Sequence, residues 1–180
     1  MSVVISGTGL FTPKEFITNE ELVQSFNQFV IKFNKENKDQ IDSGTLDALE
    51  LSSSEFIKKA SGIEQRYVQD KEGILDITRL RPRLKERSNS EVSILADMAI
   101  KAAGDAIKQS GIDSYDIDAV ICGWSNLQRA YPAVAIEVQQ ELGISGYAYD
   151  MNVACSSATF SIQNAYNDIC LLYTSPSPRD

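Results

Sequence analysis

The 180-residue sequence predicts an α/β protein, with βα layers around a mixed, largely parallel sheet. Three observations carry that expectation. From residue 88 onward, helical periodicity alternates with short apolar runs: a helix over 88–110, a strand over Ile117 to Gly123, a helix over Pro132 to Leu142, a strand from Tyr147 and a helix after Cys155. Gly111 and Gly143 stop the first two of these helices, as glycine does where the chain must turn left-handed. Strands separated by helices are joined by crossovers, and these pack in parallel with a right-handed sense.

Taken in order, Ser2 to Leu10 reads as a buried first strand, with Val3-Val4-Ile5 leading to Gly7-Thr8-Gly9 and a turn at Pro13. The glycines do not make a dinucleotide fingerprint, because the third glycine of G-x-G-x-x-G falls on Thr12 and a proline follows instead of a helix. Thr18-Asn19-Glu20-Glu21 has capping-box spacing and predicts a helix with Leu22, Val23, Phe26 and Phe29 on one face. Asn34 to Gly44, within the stretch near residues 30–51, is polar and reads as a surface excursion.

Ser53 to Val68 reads as a short helix stopped at Gly62 and followed by a strand through Arg66-Tyr67-Val68. Asp70 to Asn89 reads as a long loop that carries Arg79, Arg81, Arg83, Lys85 and Arg87 at alternate positions in an otherwise acidic chain. Such a run is either a solvated loop or a local positive field suited to phosphates or an acidic protein. Ser88-Asn89-Ser90-Glu91 has the spacing of a second capping box, and the helix it predicts carries Leu95, Met98, Ala99, Ala102, Ala103, Ala106 and Ile107 on one side. So many alanines imply close packing. Cys122, within an apolar strand, reads as core.

Cys155 is the candidate nucleophile. It stands between the Tyr147 strand and a run that opens with Ser156-Ser157-Ala158-Thr159 and spaces Phe160, Ile162 and Ala165 as a helix does. A cysteine at a helix N-terminus faces unpaired N–H groups and the positive end of the helix dipole, which favour the reactive thiolate. The same pattern also fits a packed core thiol among small residues.

A net charge of -8 argues against nucleic-acid binding. No apolar run reaches the ~20 residues of a membrane span, and no leader pattern opens the chain, so a cytoplasmic location without membrane attachment is expected. Three cysteines with neither disulfide nor C-x-x-C spacing fit a reducing compartment and no metal. There is no histidine, although cysteine nucleophiles usually work with one. Residues 171–180, Leu-Leu-Tyr-Thr-Ser-Pro-Ser-Pro-Arg-Asp, break the helix pattern abruptly. Residues 170–180 are read as a non-native tail, leaving 1–169 as the native part.

Asn152-Val153-Ala154-Cys155-Ser156-Ser157-Ala158 after a strand resembles the nucleophile segment of the thiolase superfamily, specifically of β-ketoacyl-[acyl carrier protein] synthase III. Ile5-Ser6-Gly7-Thr8-Gly9, Ser61-Gly62-Ile63 and Ala130-Tyr131-Pro132-Ala133 resemble that family at the corresponding places. The resemblance implies the first of two similar βα halves, with a histidine and an asparagine for decarboxylation supplied by the other. It implies that Cys155 accepts an acyl group from acyl-coenzyme A and passes it to malonyl-[acyl carrier protein] in fatty acid synthesis, with no cofactor beyond the thioester substrate.

Phe56 and Ala60 fall where many members carry a tryptophan and an arginine that hold the coenzyme A nucleotide, so stacking on Phe56 is implied and the phosphate contact is not. Tyr131 would reach into the acyl pocket of the partner in a homodimer. The Asn-Val-Ala-Cys-Ser-Ser form and the insertion after Phe29 resemble members that prime with medium chains such as octanoyl. A hydroxymethylglutaryl-coenzyme A or polyketide-type condensing enzyme, or a non-catalytic acyl-binding half, are the alternatives.

Overall fold

The computed structural model describes residues 2–88, 90–129 and 131–172. It resolves into two compact units, one of residues 12–86 and one that combines residues 1–11 with the chain from 87 onward.

In the first unit, β1 (Glu15–Thr18) pairs antiparallel with β2 (Gln65–Val68), Glu15 lying opposite Val68 and Thr18 opposite Gln65. The β1 strand has no counterpart in the sequence reading. It is only four residues long, too short to display a period. Thr18 then caps α1 (Asn19–Glu36) as its spacing predicts: its hydroxyl accepts from Glu21 N–H at 3.2 Å, and Glu21 Oε2 accepts from Thr18 N–H at 3.1 Å.

The polar stretch 34–44 lies at the surface as expected but is largely helical, with α1 running on to Glu36 and α2 (Lys38–Asp42) following. Polar residues there lack an apolar stripe but do not oppose helix, and tertiary ties supply what periodicity does not. The Asn34 carboxamide bonds both backbone groups of Leu49, each at 2.9 Å, and Asn27 does the same for Ser52 at 3.0 and 2.9 Å, so 49–52 is laced along α1.

Helix α3 (Ser54–Ser61) is capped by Ser53 and ends at Gly62, whose φ of 72° is the left-handed turn glycine allows. The long loop from Asp70 contains a short helix, α4 (Lys71–Leu75), capped by Asp70. Its cations are largely engaged: Arg83 pairs with Asp70 at 3.0 Å and Glu72 at 2.6 Å, and Arg79 donates to the Arg81 carbonyl at 3.1 Å. The Arg83 guanidinium holds the Asp70 carboxyl far below the usual carboxylate range. Of the alternating cations, Arg83 is therefore neutralised by acids of the loop itself, and Arg87 pairs with Asp97 beyond it at 3.5 Å.

In the second unit, the Ser88–Glu91 box closes a turn, Glu91 Oε2 accepting from Ser88 N–H at 2.8 Å, but the helix it was expected to open, α5 (Ile94–Ser110), starts after Ser93. Asn89 of that box lies outside the described residues. Strands β3 (Ala119–Gly123) and β4 (Tyr147–Met151) pair in parallel, Cys122 opposite Asp150 and Gly123 opposite Met151, with α6 (Val134–Leu142) as the crossover between them. Pro132 precedes α6 by two residues instead of opening it. Helix α7 (Ser157–Leu172) follows β4 and continues past residue 169, so Cys170 is helical; residues 173–180 of the expected tail lie outside the described residues.

Ala96, Cys122, Val134, Ala135 and Val138 form the core between α5, α6 and the sheet. Small side chains let these layers approach closely. Gly123 shows the limit: a Cβ there would lie 2.9 Å from the Ser157 carbonyl oxygen at the start of α7.

The expected buried first strand is not one. Residues 2–10 are unpaired, and Val4, Ile5 and Leu10 are exposed. Among the described residues no strand lies beside the apolar run to satisfy its N–H and C=O groups, and it lies against α5 instead, where a Cβ on Gly9 would come within 1.9 Å of the Ala102 carbonyl oxygen.

Candidate active site

Two parallel strands place the loops that follow them at one edge of the sheet, and in open α/β folds that carboxyl edge is where ligands bind. Here those loops carry Tyr131, between β3 and α6, and Cys155, between β4 and α7. The sheet thus brings two of the three sequence-derived site residues to one edge. Phe56 lies on α3 in the other unit, 65% exposed. Tyr131 is 89% exposed.

Cys155 is exposed within a single 3-10 turn, Ala154–Ser156, that runs directly into α7. The turn is held from both sides by Ser157, which is buried. Its Oγ accepts from Val153 N–H at 2.8 Å and has the carbonyl oxygens of Ala154 and Trp124 each at 2.7 Å for its own proton. Asn152 Oδ1 accepts from Ala154 N–H at 3.1 Å. Ala154 has φ 47°, a left-handed conformation that costs an alanine about 1–2 kcal/mol. Such strain persists only where the surroundings impose it, and it concentrates at functional sites.

Asp150 is the residue that sequence reasoning missed. From the middle of β4 its carboxylate accepts three hydrogen bonds: Trp124 Nε1–H at 2.9 Å, Val134 N–H at 2.7 Å and Ala135 N–H at 2.9 Å. Ala133, in the cap position of α6, has no side-chain acceptor, so a neighbouring strand caps this helix. An aspartate inside an otherwise apolar and aromatic strand was the available signal.

Cys122 is the opposite kind of thiol. Burial, and then the nearby Asp150 charge, push it up to about 12. The protonated form is the one the fold favours, so stability is present below the unfolded thiol's value of 9.0 and is lost as pH rises from there toward 12, by about 1.4 kcal/mol per pH unit. Urea titrations at pH 8 and pH 10.5 are expected to show this fall, and Cys122→Ala is expected to flatten it; equal slopes in the two proteins would sink the assignment.

No family model matches the sequence. The chain is 59% identical over 143 residues to a β-ketodecanoyl-[acyl-carrier-protein] synthase of Pseudomonas aeruginosa, matching 79% of this chain and 41% of that protein. It is 39% identical over 162 residues to β-ketoacyl-[acyl-carrier-protein] synthase III 1 of Vibrio parahaemolyticus, matching 89% of this chain and 37% of that one. Over the residues it spans, the chain is similar to β-ketoacyl-[acyl-carrier-protein] synthase III proteins.

It spans about two fifths of the length of these synthase III relatives. The 3-oxoacyl-[acyl-carrier-protein] synthase III of Aquifex aeolicus superposes with TM-score 0.62 at 23% identity, over 92% of this chain and 40% of that one. The priming β-ketosynthase of the R1128 polyketide pathway does so with TM-score 0.61 at 17% identity, over 92% of this chain and 36% of that one. These likenesses establish the thiolase-like α/β fold of the synthase III proteins for this stretch of chain.

Proposed function

We propose that the chain is part of a β-ketoacyl-[acyl carrier protein] synthase III, in which Cys155 accepts the acyl group. The observation that supports this reading most is the exposed Cys155 on a strained turn at the carboxyl edge of the sheet, braced by Ser157 and opening directly into α7.

In the proposed reaction, the Cys155 sulfur attacks the thioester carbonyl of an acyl-coenzyme A. The new S–C bond forms, and the coenzyme A thiolate leaves. Carrier-bound malonate then loses carbon dioxide, its carbanion attacks the acyl-cysteine carbonyl, and Cys155 leaves as thiolate while the β-ketoacyl product stays on the carrier. Decarboxylation places negative charge on the malonyl thioester oxygen, which needs positioned donors, on the order of 3 kcal/mol for each one removed. With no histidine among its 180 residues, this chain by itself should carry the first step and not the second.

The relative at 59% identity is named for a ten-carbon β-ketoacyl product. Condensation with malonate adds two carbons, so an eight-carbon primer is the proposed substrate here. Phe56 is proposed to stack on the coenzyme A base. Tyr131 is proposed to line the acyl pocket of a second copy in a homodimer. Among the described residues, no helix is long and apolar enough to cross a membrane, and a cytoplasmic location is proposed with the rest.

Octanoyl-coenzyme A added to the purified chain is expected to leave an octanoyl mass on the peptide bearing Cys155 and none on Cys155→Ala. Acylation elsewhere, or none at all with the fold intact, would overturn the nucleophile reading.

A further inference from the structure

We propose that Asp150 is a positioning residue that makes the start of α6 and the Cys155 turn move as one body; its catalytic meaning rests on the reading of Cys155 as the acyl acceptor. The inference comes from where its three hydrogen bonds lead. Val134 and Ala135 begin α6, three residues after Tyr131. Trp124, whose indole N–H is the third donor, directly follows β3, and its backbone N–H donates to the Met151 carbonyl at 2.9 Å. The Trp124 carbonyl lies 2.7 Å from Ser157 Oγ, the same oxygen that holds Val153 N–H. A continuous chain of hydrogen bonds therefore runs from the first turn of α6 through Asp150 and Trp124 to the two residues that bracket Cys155. Both loops at the carboxyl edge hang on one carboxylate.

The carboxylate has acceptors only, and all three groups facing it are donors. In Asp150→Asn the amide NH2 must therefore meet an N–H whichever way it is turned, because Oδ1 faces Trp124 and Ala135 and Oδ2 faces Val134. The shape of the side chain is kept and the charge-assisted bonds are lost. Trp124→Phe removes the indole donor alone and leaves the α6 cap in place. Ser93→Ala removes the cap of α5, whose Oγ accepts from Ala96 N–H at 3.3 Å, and serves as a purely structural control in the same unit.

The test is backbone amide exchange followed by mass spectrometry on the whole chain, reading 133–136 and 153–157 separately. In Asp150→Asn both segments are expected to exchange about fivefold faster, the ratio that loss of a cap predicts, and in Trp124→Phe the 153–157 segment is expected to do so. Ser93→Ala is expected to leave both at the wild-type rate. If 133–136 alone responds to Asp150→Asn, or if Ser93→Ala loosens 153–157 equally, the coupling is overturned. Should Asp150→Asn fail to fold, Trp124→Phe decides by the same segment. Octanoyl uptake by the unmutated chain is read in parallel; its absence removes the nucleophile reading and leaves the coupling standing.

Discussion

Iodoacetamide at pH 8 is expected to alkylate Cys155 at least about a hundred times faster than Cys122 in the native chain, a ratio that collapses toward one in urea. Two independent terms act on Cys122. Raised to about 12 by burial, it is ionised to only about one part in ten thousand at pH 8, and only the thiolate reacts. It is also 9% exposed in the core between the sheet and α6, so the reagent reaches it only when the structure opens. Cys155, exposed on its turn, lies open to the reagent. Peptide mapping after timed quenching gives the two rates directly. Comparable rates in buffer would mean either that the β3 layer opens readily or that Cys155 is covered, and the site would have to be sought elsewhere.

The second large effect concerns Gly146, just ahead of β4. A Cβ on that residue would stand 1.6 Å from the carbonyl oxygen of Asp118, the same oxygen that accepts from Tyr147 N–H at 3.0 Å. The obstacle is backbone, so no rotamer relieves it. Gly146→Ala must push the entry of β4 away from β3 and break the bond that sets their register. The expected cost is about 3 kcal/mol, at the upper end for overpacking. Gly111→Ala, where φ is 69° and a Cβ meets nothing within 4 Å, is expected to cost less, about 1 kcal/mol of backbone strain. Chemical denaturation of the two variants separates the cases, and a Gly146→Ala protein as stable as the wild type would refute the close approach.

What could be read from the sequence was whatever is encoded locally. The Thr18 box, the alanine-rich face of α5 and the sheet–turn–helix around Cys155 each depend on residues within a few positions of one another. The failures share the opposite property. Val3-Val4-Ile5 has strand composition, yet composition cannot show that no neighbouring strand pairs with it. The Arg79 to Arg87 run left a solvated loop and a positive field as open readings, because the acids that pair with Arg83, Asp70 and Glu72, lie more than ten residues away. Asp150 went unnoticed because its partners are Trp124 and the first turn of α6, brought to it only by the parallel pairing of β3 and β4. At the candidate site the place of Cys155 between a strand and a helix was legible, and the scaffold that holds it was not.

The distant cap on α6 also bears on the order in which this protein can be made. Val134 to Leu142 are synthesised before Asp150 is added, and at roughly 5–20 residues per second the completed helix segment precedes its capping carboxylate by roughly half a second to two seconds. A nine-residue helix in water is well below the length at which isolated helices persist. Nascent α6 therefore stays largely unwound until β4 emerges and docks, and the crossover and the strand that leads to Cys155 are consolidated in a single step.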